Sequence, residues 1–278
     1  MSDRDVSFLE PVAKTMTSVL LPSRGILYTG ELAKGKVGLT AMTLLEEAML
    51  STMDDTEKAV DNVIRRCILD PSHVDMRELI ASDKFFLMLV LRAITFGSKY
   101  SFTWTCRNRV VRNGIYTPCG ASNRFSVNIP DDFRIKTLNP EDKEPYMVEL
   151  PDSKRVIGVR LLRGFDEQEI DAYEKRLPEA NKHELPAYVV SRQIVSVDGN
   201  QITPDIPKEK VLKFVASLSA KDIAVLRDKI EYYTPGIDTT VNVTCARCGN
   251  SISMDLPLSA GFFRPEPSDQ SGEDATEV

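Results

Sequence analysis

The chain has 278 residues, of which 42% are hydrophobic, and a formal net charge of −6. This composition predicts a soluble protein with one large core or two smaller ones. Five acids and no base lie in residues 265–278, so the rest of the chain is nearly neutral, which argues against wholesale nucleic-acid binding. The longest apolar run, Phe85 to Leu91, is too short to span a bilayer. The polar, acidic start and the odd cysteine count favour a reducing, cytosolic environment.

An extended N-terminal segment, residues 1–39, is predicted to precede a helical section, residues 40–97. Apolar residues recur there at helical spacing. The predicted helices are Thr40 to Leu50, Thr56 to Leu69 and Asp83 to Phe96. The last is apolar on nearly all sides, so we expect it to be the buried centre of this section.

Two of these helices carry predictions about single side chains. In the first, Ala41, Leu45 and Ala48 form an apolar stripe with Met42 and Met49, and the acids Glu46 and Glu47 fall outside it. In the second, Cys67 lies on the apolar stripe. We therefore interpret Cys67 as a buried core residue rather than a nucleophile.

Four cysteines form two pairs, each placed between two strand-like stretches. Cys106 and Cys119 follow the alternating stretch KYSFTWT and precede RFSVNI, whereas Cys245 and Cys248 lie between TTVNVT and SISMDL. A glycine follows the second cysteine of each pair. The order strand, cysteine, cysteine, glycine, strand therefore occurs twice, as a degenerate internal repeat.

Four thiolates are the ligand set of a tetrahedral structural zinc site, and a glycine after the second cysteine lets the backbone turn around one ion. The Cys245/Cys248 spacing is fairly specific for such a site. Cys106 and Cys119 are separated by 12 residues and are less specific. Two disulfides, a redox motif and chance clustering are the alternatives. The sequence favours one structural zinc ion bound by Cys106, Cys119, Cys245 and Cys248.

The insert between Cys106 and Cys119 contains three arginines, no acid, and Asn113-Gly114 at a position typical of a hairpin turn. A solvated arginine-rich loop is one interpretation. The alternative is a partner contact through Arg109, Arg112 and Tyr116, because arginine and tyrosine are enriched at protein interfaces.

Residues 131–237 are predicted to form a hairpin followed by helices. The hairpin joins Met147–Leu150 to Arg155–Leu162. Helices are predicted at Asp166 to Arg176, Leu185 to Ser196 and Lys208 to Tyr232, the last broken near Ser219-Ala220. The acidic segment 264–278 is nearly free of apolar residues and is predicted to be disordered.

The sequence contains none of the common catalytic or nucleotide-binding motifs, and its two histidines, His73 and His183, stand beside no candidate nucleophile. The acids at the start of the predicted helix near Asp166 are favoured there by the helix dipole. We therefore predict that the protein is not an enzyme and takes no small-molecule substrate.

Several stretches resemble the T-even-type bacteriophage baseplate hub subunit family. They are LPSRGILY at residues 21–28, ELPDSKRVIGVRLLRGFDEQEI at residues 149–170 and SRQIVSVDGN at residues 191–200, together with the two cysteine units. The resemblance covers roughly Leu21 to Phe263. It implies a protein of the contractile phage tail, located in the central baseplate or assisting its assembly, with zinc-ribbon-like cysteine units and no enzymatic activity.

The predicted fold is α+β, with a helical N-terminal section, a zinc-ribbon-like β unit made of residues 98–130 and 238–263, and a central hairpin plus helices. The predicted function is a structural or assembly role through contacts with other tail and baseplate proteins. The protein would act in the host cytoplasm during assembly and in the virion tail. The alternative is a cytosolic zinc-ribbon adaptor for nucleic acid or the transcription machinery, which the near-neutral charge disfavours.

Overall fold

The computed structural model describes residues 14–52, 56–70, 74–112, 114–258 and 260–263. The α-helices in these ranges are α1 (Leu44–Thr52), α2 (Thr56–Cys67), α3 (Ala81–Phe96), α4 (Gly164–Glu174), α5 (Leu185–Gln193), α6 (Lys208–Ser217) and α7 (Ala220–Tyr233). Short 3-10 helices span Gly30–Lys34, Glu179–Glu184 and Ala260–Phe263. His73 and the acidic segment 264–278, with its predicted disorder, lie outside the described residues.

Strands make up the other half of the architecture, and every pairing between them is antiparallel. The strands are β1 (Met16–Leu20), β2 (Lys36–Thr40), β3 (Lys99–Thr105), β4 (Arg109–Arg112), β5 (Ile115–Pro118), β6 (Ser122–Asn128), β7 (Arg134–Lys136), β8 (Tyr146–Glu149), β9 (Val156–Val159), β10 (Ile194–Val197), β11 (Asn200–Gln201), β12 (Gly236–Asp238), β13 (Thr240–Thr244) and β14 (Ser251–Asp255). One sheet has four strands in the order β11-β10-β9-β8, and the described residues otherwise form the two-stranded sheets β1–β2, β3–β6, β4–β5, β7–β12 and β13–β14. The prediction of a mixed helix and sheet protein is confirmed.

A first hydrophobic core surrounds α3. The sheet β1–β2, helix α2 and the hairpins β3–β6 and β13–β14 all place apolar side chains in this core. Cys67 is fully buried within it, as predicted, and burial raises the pKa of its thiol to about 11. Arg92 is also buried here, and its guanidinium carbon lies 5.3 Å from the ring centre of Tyr100 and 5.8 Å from that of Phe262. These cation–π contacts fix α3 against the strand that leads to the first cysteine.

A second core belongs to the four-stranded sheet. One face of β8, β9 and β10 packs on α5, α6 and α7, with fully buried side chains from strands and helices alike. The hairpin predicted across residues 151–154 is present as β8–β9, with Val148 paired to Ile157. The break predicted near Ser219-Ala220 separates α6 from α7, and the Ser219 hydroxyl caps α7 by accepting the N–H of Asp222.

The two cores meet where α3 begins. The Tyr28 hydroxyl donates a 2.8 Å hydrogen bond to Asp83 and accepts the Ile80 N–H at 3.0 Å. Burial raises the pKa of Asp83, and burial together with Asp83 raises that of Tyr28. Lys84 forms ion pairs with Asp61 and Glu167 across the same junction. The stretch LPSRGILY therefore has a structural role, because its Tyr28 orders the start of the central helix.

Helix α1 differs from the prediction in its side-chain directions. It begins at Leu44, four residues later than predicted, and the Glu46 carboxylate accepts hydrogen bonds from the Thr43 N–H at 2.9 Å and from the Thr43 hydroxyl at 2.5 Å. Glu46 is consequently buried and paired with Arg66, whereas Leu45 is 65% exposed. The predicted stripe is therefore wrong at Leu45 and Glu46, whereas Met42 is buried and Met49 packs against the first core as predicted.

Candidate metal centre

The two cysteine pairs lie in two backbone turns with the same hydrogen-bond pattern. The Cys106 N–H donates to Ala121 O and the Gly120 N–H donates to Cys106 O, at 2.9 and 3.0 Å. In the second turn, the Cys245 N–H donates to Asn250 O and the Gly249 N–H to Cys245 O, both at 2.9 Å. Gly120 and Gly249 have φ angles of 62° and 69°, which favour glycine. The repeat in the sequence is thus a repeat in structure.

The turns bring all four sulfur atoms together. Cys106 Sγ lies 3.7 Å from Cys248 Sγ, Cys119 Sγ lies 3.8 Å from Cys245 Sγ, and all four atoms lie within 4.8 Å of one another. Zinc–sulfur bonds of about 2.3 Å in a tetrahedral site imply sulfur–sulfur separations of about 3.8 Å. All five cysteines are free thiols, so the structure does not contain the two disulfides considered as an alternative. The four thiols are close enough to bind one metal ion.

Two asparagine side chains support the cysteine cluster. Asn123 Oδ1 accepts the Ala246 N–H at 2.9 Å, and Asn123 Nδ2 donates to Ala121 O at 3.0 Å and to Cys245 Sγ at 3.7 Å. Asn108 Nδ2 donates to Cys248 Sγ, also at 3.7 Å. Asn123 is 9% exposed and belongs to the first cysteine unit, so it links the first turn to the second through a buried contact. Such surrounding hydrogen bonds orient ligand atoms toward a metal.

The thiols differ in how easily they ionise. Burial raises the pKa of Cys106 to about 12. Burial also disfavours the Cys245 thiolate, but hydrogen bonds from the N–H groups of Cys248 and Arg247 outweigh it and lower the pKa to about 6. The Asn250 N–H lowers the pKa of Cys248 as well. The backbone N–H groups of the second turn therefore stabilise negative charge on the sulfur atoms of Cys245 and Cys248, and the thiolate is the metal-binding form of cysteine.

The insert between Cys106 and Cys119 folds as a hairpin. Strands β4 and β5 pair Arg109 with Pro118 and Val111 with Tyr116, and Gly114 lies in the connecting turn with a φ of 77°. Arg109 and Tyr116 are exposed on this hairpin, and Arg112 ends β4 opposite Ile115. Asn113, the other predicted turn residue, lies outside the described residues.

Sequence reasoning missed several residues that matter here. Val111 and Ile115 are 58% and 66% exposed beside the predicted contact residues, and the β-branched run around Val110 was the available signal. Asn108 and Asn123 could not be singled out, because their roles depend on contacts across the cluster. Asn108 stands two residues after Cys106, the position of the second intervening residue in a compact Cys-x-x-Cys turn.

A family model described as T4 bacteriophage base plate protein matches residues 24–264, which include all four cysteines and the hairpin between the first two. The chain belongs to this family. The resemblance recognised in the sequence is thereby confirmed at the level of a T4-type baseplate protein. No curated protein and no solved structure matches the chain.

Membership in the T4 baseplate family indicates a structural role in the phage tail, among protein partners. Among the residues that the structure describes, no helix is long and apolar enough to cross a membrane. The family match itself names neither a metal nor a partner.

Proposed function

We propose that the protein is a structural or assembly component of the hub region of a contractile tail baseplate and acts through contacts with other tail proteins. The family match over residues 24–264 carries this proposal. Assembly would take place in the host cytoplasm, and the function would require neither a catalytic step nor a small-molecule substrate.

We further propose that one structural zinc ion is bound by Cys106, Cys119, Cys245 and Cys248. The sulfur separations of 3.7 and 3.8 Å match a tetrahedral thiolate site, and three of the four residues are buried. Four thiolates in a tetrahedron select zinc or iron among the common metals. No position is open to a substrate when four side chains complete the tetrahedron, so the ion would be structural.

Such an ion would connect ligands that are far apart along the chain. Cys119 and Cys245 are separated by 125 residues, which include the whole four-stranded sheet. Structural zinc sites contribute on the order of 10 kcal/mol, which is comparable to the net stability of a domain. The ion would fix two distant hairpins as one scaffold for partner contacts.

The test combines metal analysis with genetic complementation. We expect elemental analysis of chain purified without chelator to give about one zinc per chain. In a phage that lacks this gene, the wild-type gene should restore complete tails, whereas a Cys245→Ser/Cys248→Ser variant should restore few. Cys67→Ala is the matched control, because Cys67 is buried outside the cluster and should leave zinc content unchanged.

Two results would contradict the proposal in different ways. Normal tail yield from phage without the gene would exclude the baseplate role. Iron instead of zinc, or metal-free protein with four titratable thiols, would exclude the zinc site while leaving the family assignment intact.

A further inference from the structure

The hairpin β4–β5 is an addition to a turn that already closes without it. The Cys119 N–H donates to Asn108 O at 2.7 Å, so the two ends of the insert meet directly at the base of the hairpin. Without residues 109–118, the sequence would read Cys-Arg-Asn-Cys-Gly, with the spacing of Cys-Ala-Arg-Cys-Gly at residues 245–249. The second turn shows that two intervening residues suffice. The hairpin therefore needs an explanation other than closing the cysteine cluster.

The two faces of the hairpin have different surroundings. In an antiparallel pair, directly opposed residues share a face, so Arg109, Val111, Tyr116 and Pro118 lie on one side. All four are exposed, with Val111 at 58% and Tyr116 at 69%. On the opposite face, Val110 packs against the cysteine cluster and is partly buried, whereas Ile115, near the turn of the hairpin, is 66% exposed. The first face is thus an exposed, largely apolar surface with one cation.

The charge of the hairpin and its base is entirely positive. Residues 107–118 contain three arginines and no acid, although the whole chain carries a net charge of −6. Arg107 and Arg109 are both exposed. A surface that complements this hairpin needs apolar area opposite Val111 and Tyr116, and carboxylates near the arginines.

We propose that the exposed face of β4–β5 is a docking surface for another baseplate protein, which presents an apolar patch bordered by carboxylate side chains. This inference rests on the proposed function. Tyrosine and arginine are among the residue types that most often dominate binding energy, and here they lie beside a valine on one face of the hairpin. The cysteine cluster holds the base of the hairpin, so little chain entropy is lost on binding.

A protein partner fits this face better than nucleic acid. Phosphate recognition depends on many cations, whereas the exposed face carries two apolar side chains, a proline and a single arginine. Exposed apolar surface is stabilised by contact with another apolar surface. Binding should therefore depend on Val111 and Tyr116 at least as strongly as on Arg109.

The first test removes the hairpin and keeps the turn. Deletion of residues 109–118 should leave about one zinc per chain and a melting temperature close to that of the wild type, because the shortened turn retains the four-ligand set. In the gene-deleted phage, the same variant should lower the yield of complete tails roughly tenfold or more, as expected when a dominant contact is lost.

Point variants keep the inference testable if the deletion lowers zinc content. Val111→Ala combined with Tyr116→Ala should lower tail yield to a similar extent, whereas Tyr232→Ala should not. Tyr232 is the matched control because it is a tyrosine of similar exposure, 66%, located on α7 away from the cysteines. Full tail yield from the double variant would overturn the docking surface but leave the baseplate role standing.

A crosslinking experiment identifies the occupant. A photoreactive benzoyl-phenylalanine placed at position 116 is irradiated during assembly in infected cells, and the linked peptide is sequenced. A link to a second baseplate protein, at a segment with apolar residues and carboxylates, is the expected result. A link to another copy of this chain or to nucleic acid would overturn the inference. It would also be overturned if position 116 formed no link, like a control copy labelled at position 232. Failure of the wild-type gene to affect tails would instead remove the proposed function itself.

Discussion

Two regions of the molecule keep their strands together in different ways. One is the cysteine unit, made of the strand pairs β3–β6 and β13–β14, and the other is the sheet region, residues 146–233. The sheet region pairs four strands and covers one face with α5, α6 and α7, so its core is closed by its own side chains. The cysteine unit consists of two separate two-stranded hairpins that share a core with α3. Two-stranded hairpins are marginally stable at best in water.

The difference shows where a metal ion would contribute most. The hairpin β3–β6 follows α3 directly in the chain, whereas β13–β14 is far from it in sequence, and the cysteine ends of the two hairpins meet through the thiol cluster, Asn123 and Asn108. In the sheet region, β8 pairs with β9 across a short turn, β10 pairs with β9 with one register shift between Ile194 and Ser196, and α5, α6 and α7 cover one face, so its strands are held by their own core. We therefore expect the two regions to respond separately to loss of the metal and to loss of a buried charge.

Metal removal should have the largest effect, and it should be confined to the cysteine unit. A strong chelator would remove a contribution on the order of 10 kcal/mol, so the strands β3, β6, β13 and β14 should lose protection from hydrogen exchange. Strands β8, β9 and β10 should keep most of theirs. Equal loss in both regions, measured peptide by peptide, would show that they unfold as one unit and that the comparison is mistaken.

Loss of the buried carboxylate of Asp166 should affect the sheet region instead. Asp166 is fully buried and accepts hydrogen bonds from Arg160 at 2.8 Å and Arg192 at 3.0 Å. Breaking a buried ion pair by removing one partner costs roughly 3–5 kcal/mol, because the remaining charges are left uncompensated. We expect Asp166→Ala to lower the urea midpoint and the exchange protection of α4, α5 and β9, with unchanged zinc content.

The matched control for this change is Glu169→Ala. Glu169 also contacts Arg192, at 2.9 Å, but its side chain is 38% exposed. Partly exposed ion pairs contribute about 1 kcal/mol or less, so this variant should be nearly as stable as the wild type. If both variants were equally destabilised, the burial of Asp166 would not be the cause.

The features predictable from the sequence were those set by local patterns. The alternation of Tyr100 and Phe102 indicates a strand with one buried face, and both residues are buried in β3. The cysteine spacing indicates a cluster, and the four thiols are indeed adjacent. Assignment of these cysteines as zinc ligands, and the division into sections, stay predictions.

The features missed were those set by distant partners. The stretch predicted to continue α5 to Ser196 becomes strand β10 at Ile194, because Ile194 pairs with Val159 and the Gln193 carbonyl accepts the Arg160 N–H. Apolar periodicity over a few residues does not distinguish these states. Glu46 was assigned to the wrong face because its contacts are invisible to apolar periodicity: its carboxylate accepts the Thr43 N–H at the start of α1 and pairs with Arg66 of α2.

The prediction with the smallest expected effect concerns the hydrogen-bonded contact between the two cysteine turns. Asn123→Ala removes the acceptor for the Ala246 N–H and the donor to Ala121 O, but leaves all four thiols in place. Loss of such a surrounding contact typically lowers metal affinity about 10- to 100-fold. Competition with a chromogenic zinc chelator should show this shift, while Asn128→Ala, on the same strand but exposed and outside the cluster, should leave affinity unchanged. If Asn123→Ala bound zinc as tightly as the wild type, the core around α3 alone would position the two turns. The cysteine unit would then depend less on contacts within its own cluster than the comparison with the sheet region implies.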